Sequence, residues 1–356
     1  LSALKIRIRE VTMKFGGALL IASSLVILAG PPAANAADDS VAAFYSGKTV
    51  TLNIGFGVGG GYDIYGRLGA RHLSRFLPGS PTVIVKNQPA AGSILLANQM
   101  YTSLPRDGTA IGIIGNSLGL EQMLGSGQDK FDFTKFNWIG RFDDLSLLLL
   151  AWKESGIATA DDVVNKEFSI GVPGRGSTGE FSLNAIKRLL GAKYKIISGY
   201  QSGTETKLAM ERREVDATAS VQWSTVKVAN RDWIEQNKIN TLVLLGLDKI
   251  SDLPNVPLAP ELAKTSDQRR ILELLMMPAQ IGRAVMAPPD VPADRLAALR
   301  AAFDKMMSDP EFIADANKQH LTLSPLPASV LQDVTERIGK TEPALVEQAK
   351  TVTRNP

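Results

Sequence analysis

The sequence contains no cysteine and only two histidines. That excludes disulfides, zinc thiolates, cysteine nucleophiles and a lipid-modified N-terminal cysteine, and leaves a histidine-rich metal site without ligands. No acidic stretch has the spacing of a calcium loop, so neither a metal nor a cofactor is expected. An excess of one charge is also lacking. The formal net charge of +3 is already present in residues 1–36, where Lys5, Arg7, Arg9 and Lys14 face Glu10; the remaining residues balance at 35 basic against 35 acidic. A neutral body argues against nucleic acid or an anionic membrane as the main partner. Long apolar runs are missing beyond residue 29, so nothing after it is expected to span a bilayer. Hydrophobic content of 44% with 21% charged residues fits a globular chain with a substantial core.

The beginning of the chain reads as an export signal. Met13-Lys14 supplies a basic start, residues 15–29 an apolar core, Pro31-Pro32 its end, and Ala34-Asn35-Ala36 a small-x-small cleavage site. Fifteen apolar residues are short for an anchor. Residues 1–36 are therefore expected to be upstream residues and signal peptide, cleaved near Ala36. The remainder is expected to be free in the periplasm.

Strand and helix patterns alternate from there on. An alternating run over residues 50–56 predicts a strand, and Ile64, Leu68 and Leu73 predict a helix after it. Five glycines fall between them, at 55, 57, 59, 60 and 61. A strand, a Gly-rich turn and a helix N-terminus together present free N–H groups and a positive dipole end, an arrangement suited to an anion. Further strands are predicted at 82–85, 110–114 and 145–152. The same construction restarts at residue 168: a strand, the turn Pro173-Gly174-Arg175-Gly176-Ser177-Thr178-Gly179, and a helix over 181–190. Strands at 194–198, 215–221, 241–245 and 281–287 follow, prolines 254, 257 and 260 mark a loop, and the chain beyond 292 is mostly helical. The alternation predicts an α/β chain of two units with parallel sheets.

Several motifs match catalytic patterns by letter. Gly55-x-Gly57-x-x-Gly60 fits a dinucleotide fingerprint, but the next strand leads to Lys86-Asn87 where a ribose-binding acid is needed. Gly115-Asn116-Ser117-Leu118-Gly119 fits a nucleophile elbow, with His320 later in the chain. This is the alternative reading, an exported serine hydrolase using Ser117 and His320. Against it, no His-Gly-Gly segment precedes Ser117, and His320 lies in a polar helix end. Gly47-Lys48-Thr49 lacks the first glycine of a P-loop and precedes a strand. His72 falls at the edge of an apolar helix face, where a packed structural role is expected. What remains is two anion-friendly turns, with Arg175 able to meet a carboxylate bidentately and Ser177 and Thr178 adding hydroxyls. Asp63, Ser177 or Thr178 would equally serve as helix caps, and capping leaves other N–H groups free.

Six segments together resemble the periplasmic receptors of tripartite tricarboxylate transporters, the Bug family. They are Phe44-Tyr45-x-Gly47-Lys48, Gly59-Gly60-x-x-Asp63, Asn87-x-Pro89-x-Ala91-Gly92-Ser93, Asp107-Gly108-Thr109, Gly174-x-Gly176-Ser177-Thr178 and Val215-Asp216-Ala217. The resemblance covers nearly all of residues 44–350. It implies a two-domain, Venus flytrap-like binding protein of type II, divided as 44–150 with 282–356 and 151–281. A di- or tricarboxylate or an aromatic acid would lie between the domains and be delivered to membrane permease subunits. It further implies no catalysis and a ligand wall of Gly59, Gly60 and Asp63, faced by Gly176, Ser177 and Thr178; Gly61, Tyr62 and Arg175, which is not a fixed family residue, are added from the reading of the two turns. Asn116, Ser117, Gln201, Gly203 and Trp223 are expected contributors, Asp63 orienting the loop more than meeting the anion. Val58 stands where the family usually has proline. No exposed apolar segment demands a partner copy, so a monomer is expected.

Overall fold

The computed structural model describes residues 33–125, 129–173, 178–200 and 203–353. The chain begins with α1 (Ala33–Tyr45), β1 (Thr49–Ile54), α2 (Gly61–Leu73), β2 (Thr82–Asn87), α3 (Ile94–Thr102), β3 (Ala110–Ile113), α4 (Leu118–Leu124) and β4 (Asn137–Arg141). It continues with β5 (Leu147–Trp152), α5 (Ala160–Asn165), β6 (Ser169–Pro173), α6 (Thr178–Leu190), β7 (Lys195–Tyr200), α7 (Gly203–Glu211), β8 (Ala217–Val221), α8 (Trp223–Ala229), α9 (Arg231–Glu235) and β9 (Ile239–Leu245). Last come α10 (Ser266–Ile281), β10 (Ala284–Ala287), α11 (Ala293–Met307), α12 (Pro310–Lys318), β11 (Leu326–Pro327), α13 (Ala328–Gly339) and α14 (Pro343–Thr353).

Two sheets result, one in each lobe. The first runs β11-β4-β10-β3-β1-β2 and the second β7-β6-β8-β5-β9. Strand β1 turns Val50, Leu52 and Ile54 into the core, as its alternation requires. It pairs in parallel with β2 and β3, and β6 pairs in parallel with β7 and β8. The sheets are nevertheless mixed. Strand β10 is antiparallel to β3 and β4, and β5 is antiparallel to β8 and β9. Wholly parallel sheets were the expectation, because local strand–helix alternation does not reveal a strand that returns from a distant part of the chain.

The chain crosses between sheets over 142–146 and again over 246–283. The continuous apolar run of β5 belongs to the second sheet, where Leu148, Leu149 and Leu150 are fully buried between helices and sheet neighbours. At the other end of the chain, α14 leaves the first lobe and packs on α6, α10 and α4. Helix α10 also touches both lobes, through α6 on one side and α4 and α13 on the other. Leu120 of α4 accordingly shares one apolar cluster with Ile186 of α6 and Leu272 and Leu275 of α10. Among the described residues no helix is long and apolar enough to cross a membrane.

Candidate functional site

The turn after β1 is held in shape by Asp63. Its carboxylate is 1% exposed and accepts hydrogen bonds from the Gly59 N–H at 2.8 Å, from Arg67 Nε at 2.9 Å on each oxygen, and from Asn87 Nδ2 at 2.8 Å. Asn87 also donates to the Phe56 carbonyl and accepts from Arg67 Nη2, so the next strand is tied to the same loop. Burial pushes the Asp63 carboxyl up, but the bonds from Arg67, Gly59 and Asn87 outweigh it and hold the pKa below the ordinary value. Gly59 has φ +82, a left-handed geometry that glycine adopts without strain. Helix α2 then starts with Gly60 as its cap, without a side-chain cap, and Ile64 makes the first helical bond to Gly60. The N–H groups of Gly61, Tyr62 and Asp63 fall in the first turn, where no i−4 carbonyl exists for them. The loop's one carboxylate is already neutralised. Positive potential from the helix end is therefore left uncancelled.

Tyr62 and Asn116 extend this wall. The Tyr62 ring stacks on Phe56 at 4.1 Å and its hydroxyl donates to Asn116 Oδ1 at 3.2 Å. Burial raises the Tyr62 pKa, opposed by the Arg283 guanidinium. Asn116 is 4% exposed, and its Nδ2 donates to the Pro278 carbonyl of α10 at 2.8 Å. Its side chain thus joins α2, the β3 end and α10, which leaves it little capacity for a ligand. Next along the chain, the Ser117 hydroxyl donates to Glu121 Oε1 at 2.6 Å. Ser117 and Glu121 line a small cavity of about 40 Å³ together with Thr178, Phe181 and Ser182 of α6 and Leu275, Met276 and Ala279 of α10. Thr178, from the second Gly-rich turn, and Ser117, from the first lobe, therefore face one space.

Arg283 is the residue that sequence reading missed. Its guanidinium lies so close to Gly61 that a Cβ there would sit 2.9 Å from Nη2, and a side chain at 61 would require Arg283 to shift. It lies over Tyr65 at 4.8 Å and Tyr62 at 5.8 Å. Nη1 donates to Asp143 Oδ2 at 3.1 Å and Nη2 to Gln222 Oε1 at 3.0 Å, while Nε, fully buried, has no partner. Tyr65 and Thr322 also donate to Asp143 Oδ2, and Gln222 Nε2 donates to the Asp144 carbonyl. Burial pushes Asp143 up to about 6 against the pull of Arg283. This network sits at the crossings between the sheets. Arg283 carries no motif, and only its proximity in space to Gly61 and Asp143 marks it.

The expected site residues distribute as follows. Gly59, Gly60, Gly61, Tyr62 and Asp63 form the turn and start of α2, which Tyr62 ties to Asn116, while Ser117 and Thr178 line the cavity between the lobes. Arg175, Gly176, Ser177 and Gln201 lie outside the described residues. Gly203 begins α7, where a Cβ would meet the Ser220 carbonyl at 2.7 Å, so this glycine allows helix and strand to pack. Trp223 lies apart. Its indole N–H donates to Asp252 at 3.1 Å, and it packs with Leu148, Met210 and Val226 and borders a second opening with Asp143 and Asp144. Ser117 is bonded to Glu121 and not to a histidine, while His320 is exposed at the end of α12 with φ +57. His72 packs edge-on against Phe312 and bonds Asp315 at 3.0 Å.

Two mixed α/β lobes, a chain that crosses between them and a cavity reached from both define a two-domain solute-binding receptor of the Venus flytrap kind. Residues 67–333 match the family model described as tripartite tricarboxylate transporter family receptor, TctC, and the chain belongs to that family of periplasmic solute-binding receptors. It is 26% identical over 249 residues, 68% of this chain and 71% of the other, to the "UPF0065 protein in gbd 5'region" of Cupriavidus necator. Among solved structures, a TctC solute-binding protein from Polaromonas superposes with a TM-score of 0.64 at 19% identity, covering 86% of this chain and 98% of the other. MatC from Rhodopseudomonas palustris, with bound malate, gives 0.57 at 18% identity over 86% and 99%. R. palustris Rpa4515, with adipate, gives 0.58 at 17% over 86% and 96%.

Proposed function

We propose that this chain captures an organic carboxylate between its lobes and delivers it to the membrane permease subunits of a tripartite transporter. The observation that carries the reading is the engaged state of Asp63. With that carboxylate bonded by Gly59, Arg67 and Asn87, the first turn of α2 offers N–H donors with no local anion to compete. Thr178 lies opposite Ser117 at the start of α6, which supports a second wall from the other lobe. Malate and adipate, held by the two R. palustris proteins, are both carboxylates. The export pattern before residue 37 supports a periplasmic site of action for a single chain. The two lobes, joined by the crossings over 142–146 and 246–283 and not at residue 150 as expected, would close on the ligand as a hinge. A ligand that touches both walls only when they are closed shifts the population toward closure.

Thermal unfolding against a panel of mono-, di-, tricarboxylic and aromatic acids tests this, because binding to the folded state raises its melting temperature. At least one acid is expected to raise it by several degrees. Gly60 has extended backbone and a Cβ there would make only an ordinary contact with the Gly57 carbonyl at 3.6 Å, so Gly60→Val should change the ligand-free melting temperature little while lowering affinity about tenfold or more. Thr178→Val should weaken the same acid. A panel without any hit, or indifference of both variants, would overturn the proposal.

A further inference from the structure

We infer that Arg283 is a positioning residue for a carboxylate at the first turn of α2, and that Asp143 tunes it, so that capture of the anion takes up a proton. The inference rests on the receptor reading above and adds the regulation of that site. Measured from the position a Cβ would take on Gly61, Arg283 Nη2 lies at 2.9 Å, Nε at 3.2 Å and Cζ at 3.4 Å. One edge of the guanidinium is thus laid against the turn whose N–H groups have no i−4 carbonyl. That edge is under-partnered. Nε has no partner and Nη2 donates only to the neutral Gln222 Oε1, while Nη1 meets the charge of Asp143. Arg283 is 8% exposed, so its field reaches the turn through protein more than through water. A fixed positive charge in that place favours an anion at the helix start without having to touch it.

Asp143 decides how much of that charge is felt. Its Oδ2 lies 3.1 Å from Arg283 Nη1 and also accepts from Tyr65 of α2, from Thr322 after α12 and from Gln222 before α8. Asp144 beside it and Arg141 of β4 act on it through their charges. Lys227 and Lys249 line the same opening, paired with Asp252 and Glu261. Burial pushes Asp143 up to about 6 against the pull of Arg283, and Asp144 adds to the rise. Once protonated, Asp143 no longer offsets Arg283, and the α2 turn attracts an anion more strongly. By reciprocity, an anion at the turn draws a proton onto Asp143.

Titration calorimetry of the intact chain with malate and benzoate, and with any other acid that scores in the thermal panel, tests this. From about pH 7.5 down to about pH 6, where ordinary carboxylates stay ionised, affinity is expected to rise about two- to fourfold. At about pH 6.5, heats in PIPES and in imidazole, which differ in ionisation enthalpy, should report uptake of about 0.2–0.5 proton per anion bound. Asp143→Asn cannot titrate. It should lose both the slope and the uptake, and bind at about pH 7.5 at least as tightly as the parent does at about pH 6. Arg283→Lys keeps the charge and should keep the slope, whereas Arg283→Gln should lose it and bind severalfold more weakly. A purely structural network would leave the parent's profile flat, whatever the variants did to the melting temperature. A flat parent profile, a slope that survives in Asp143→Asn and so belongs to another group such as His72 of α2, or undiminished affinity in Arg283→Gln would each overturn the inference while the carboxylate-receptor reading stood. Absence of binding by every acid would instead remove the receptor reading, and the inference with it.

Discussion

Asp63 illustrates how one buried side chain sets the character of a binding loop. A carboxylate 1% exposed at a helix start would ordinarily repel an anionic ligand, yet here its charge is met by Arg67 and its lone pairs by Gly59 and Asn87. Replacing it with alanine would leave the Gly59 N–H, the Asn87 amide and Arg67 without their acceptor. The expected loss of unfolding free energy is about 2–3 kcal/mol, measured by denaturant titration, since hydrogen bonds to a charged group weigh more than neutral ones. Arg67 is 43% exposed, which keeps the figure below that of a fully buried pair. The pH dependence has a definite sign. The folded pKa lies below the unfolded one, so this stabilisation is present above about pH 4 and is lost as pH falls through the folded value. Asp63→Ala should therefore show a flatter acid limb than the parent. An unchanged acid limb would mean that Asp63 is not the anchor of the loop.

At the scale of elements, the Gly-rich turn and the helix after it were legible because their signals are local. Alternation set β1, five glycines set the turn, and Leu68 and Leu73 set the buried face of α2. The helix-cap role expected of Asp63 is not what the structure shows: Gly60 caps α2 without a side-chain bond, and Asp63, inside the first turn, accepts from the loop amide of Gly59. Helix α10 was not recognised, although Thr265 and Gln268 form a capping box before Ile271, Leu272 and Leu275. Prolines 254, 257 and 260 pointed to a loop, and α10 contains Pro278, which lacks an N–H for the fourth residue back and so weakens the local helical signal. What the chain does with Pro278 depends on a residue 162 positions away, Asn116, whose amide bonds the proline carbonyl. No local pattern reports such a pairing, and the same holds for Arg283 against Gly61. Trp223 shows the converse: an aromatic residue at a helix start resembles a ligand contact until its bond to Asp252 and its packing are seen. Asn116→Ala should accordingly cost about 1 kcal/mol in a denaturant titration, because the Pro278 carbonyl loses its side-chain donor and keeps only the Gly282 N–H, and the Tyr62 hydroxyl loses its acceptor and keeps only the backbone N–H of residue 116. A cost near zero would mean that the link between the β3 end and α10 is dispensable.

For the whole molecule, the decisive feature is that buried charge is concentrated where the chain changes sheets. Asp143 lies on the first crossing, Arg283 at the end of the second, and Gln222 reaches both from the second lobe. Gly282 shares this crossing with φ +55, and a Cβ there would meet the Asp143 carbonyl at 2.2 Å, so the two crossings are packed directly against each other. Two effects compete at Asp143. Burial favours the neutral acid, while Arg283 at 3.1 Å favours the carboxylate, and burial prevails, with the pKa pushed up to about 6. Between the unfolded value near 4 and that folded value, the folded chain holds a proton that the unfolded chain has released. Stability contributed by this group is therefore full below about pH 4 and declines as pH rises toward and past 6, by on the order of 2 kcal/mol. Asp143→Asn resembles the protonated acid at every pH and lacks this slope. Relative to the parent, its unfolding free energy should rise by on the order of 2 kcal/mol between pH 4.5 and 7.5, in denaturant titrations at matched ionic strength. A relative fall over the same range would mean that Arg283 outweighs burial and that the ionised pair stabilises the crossing.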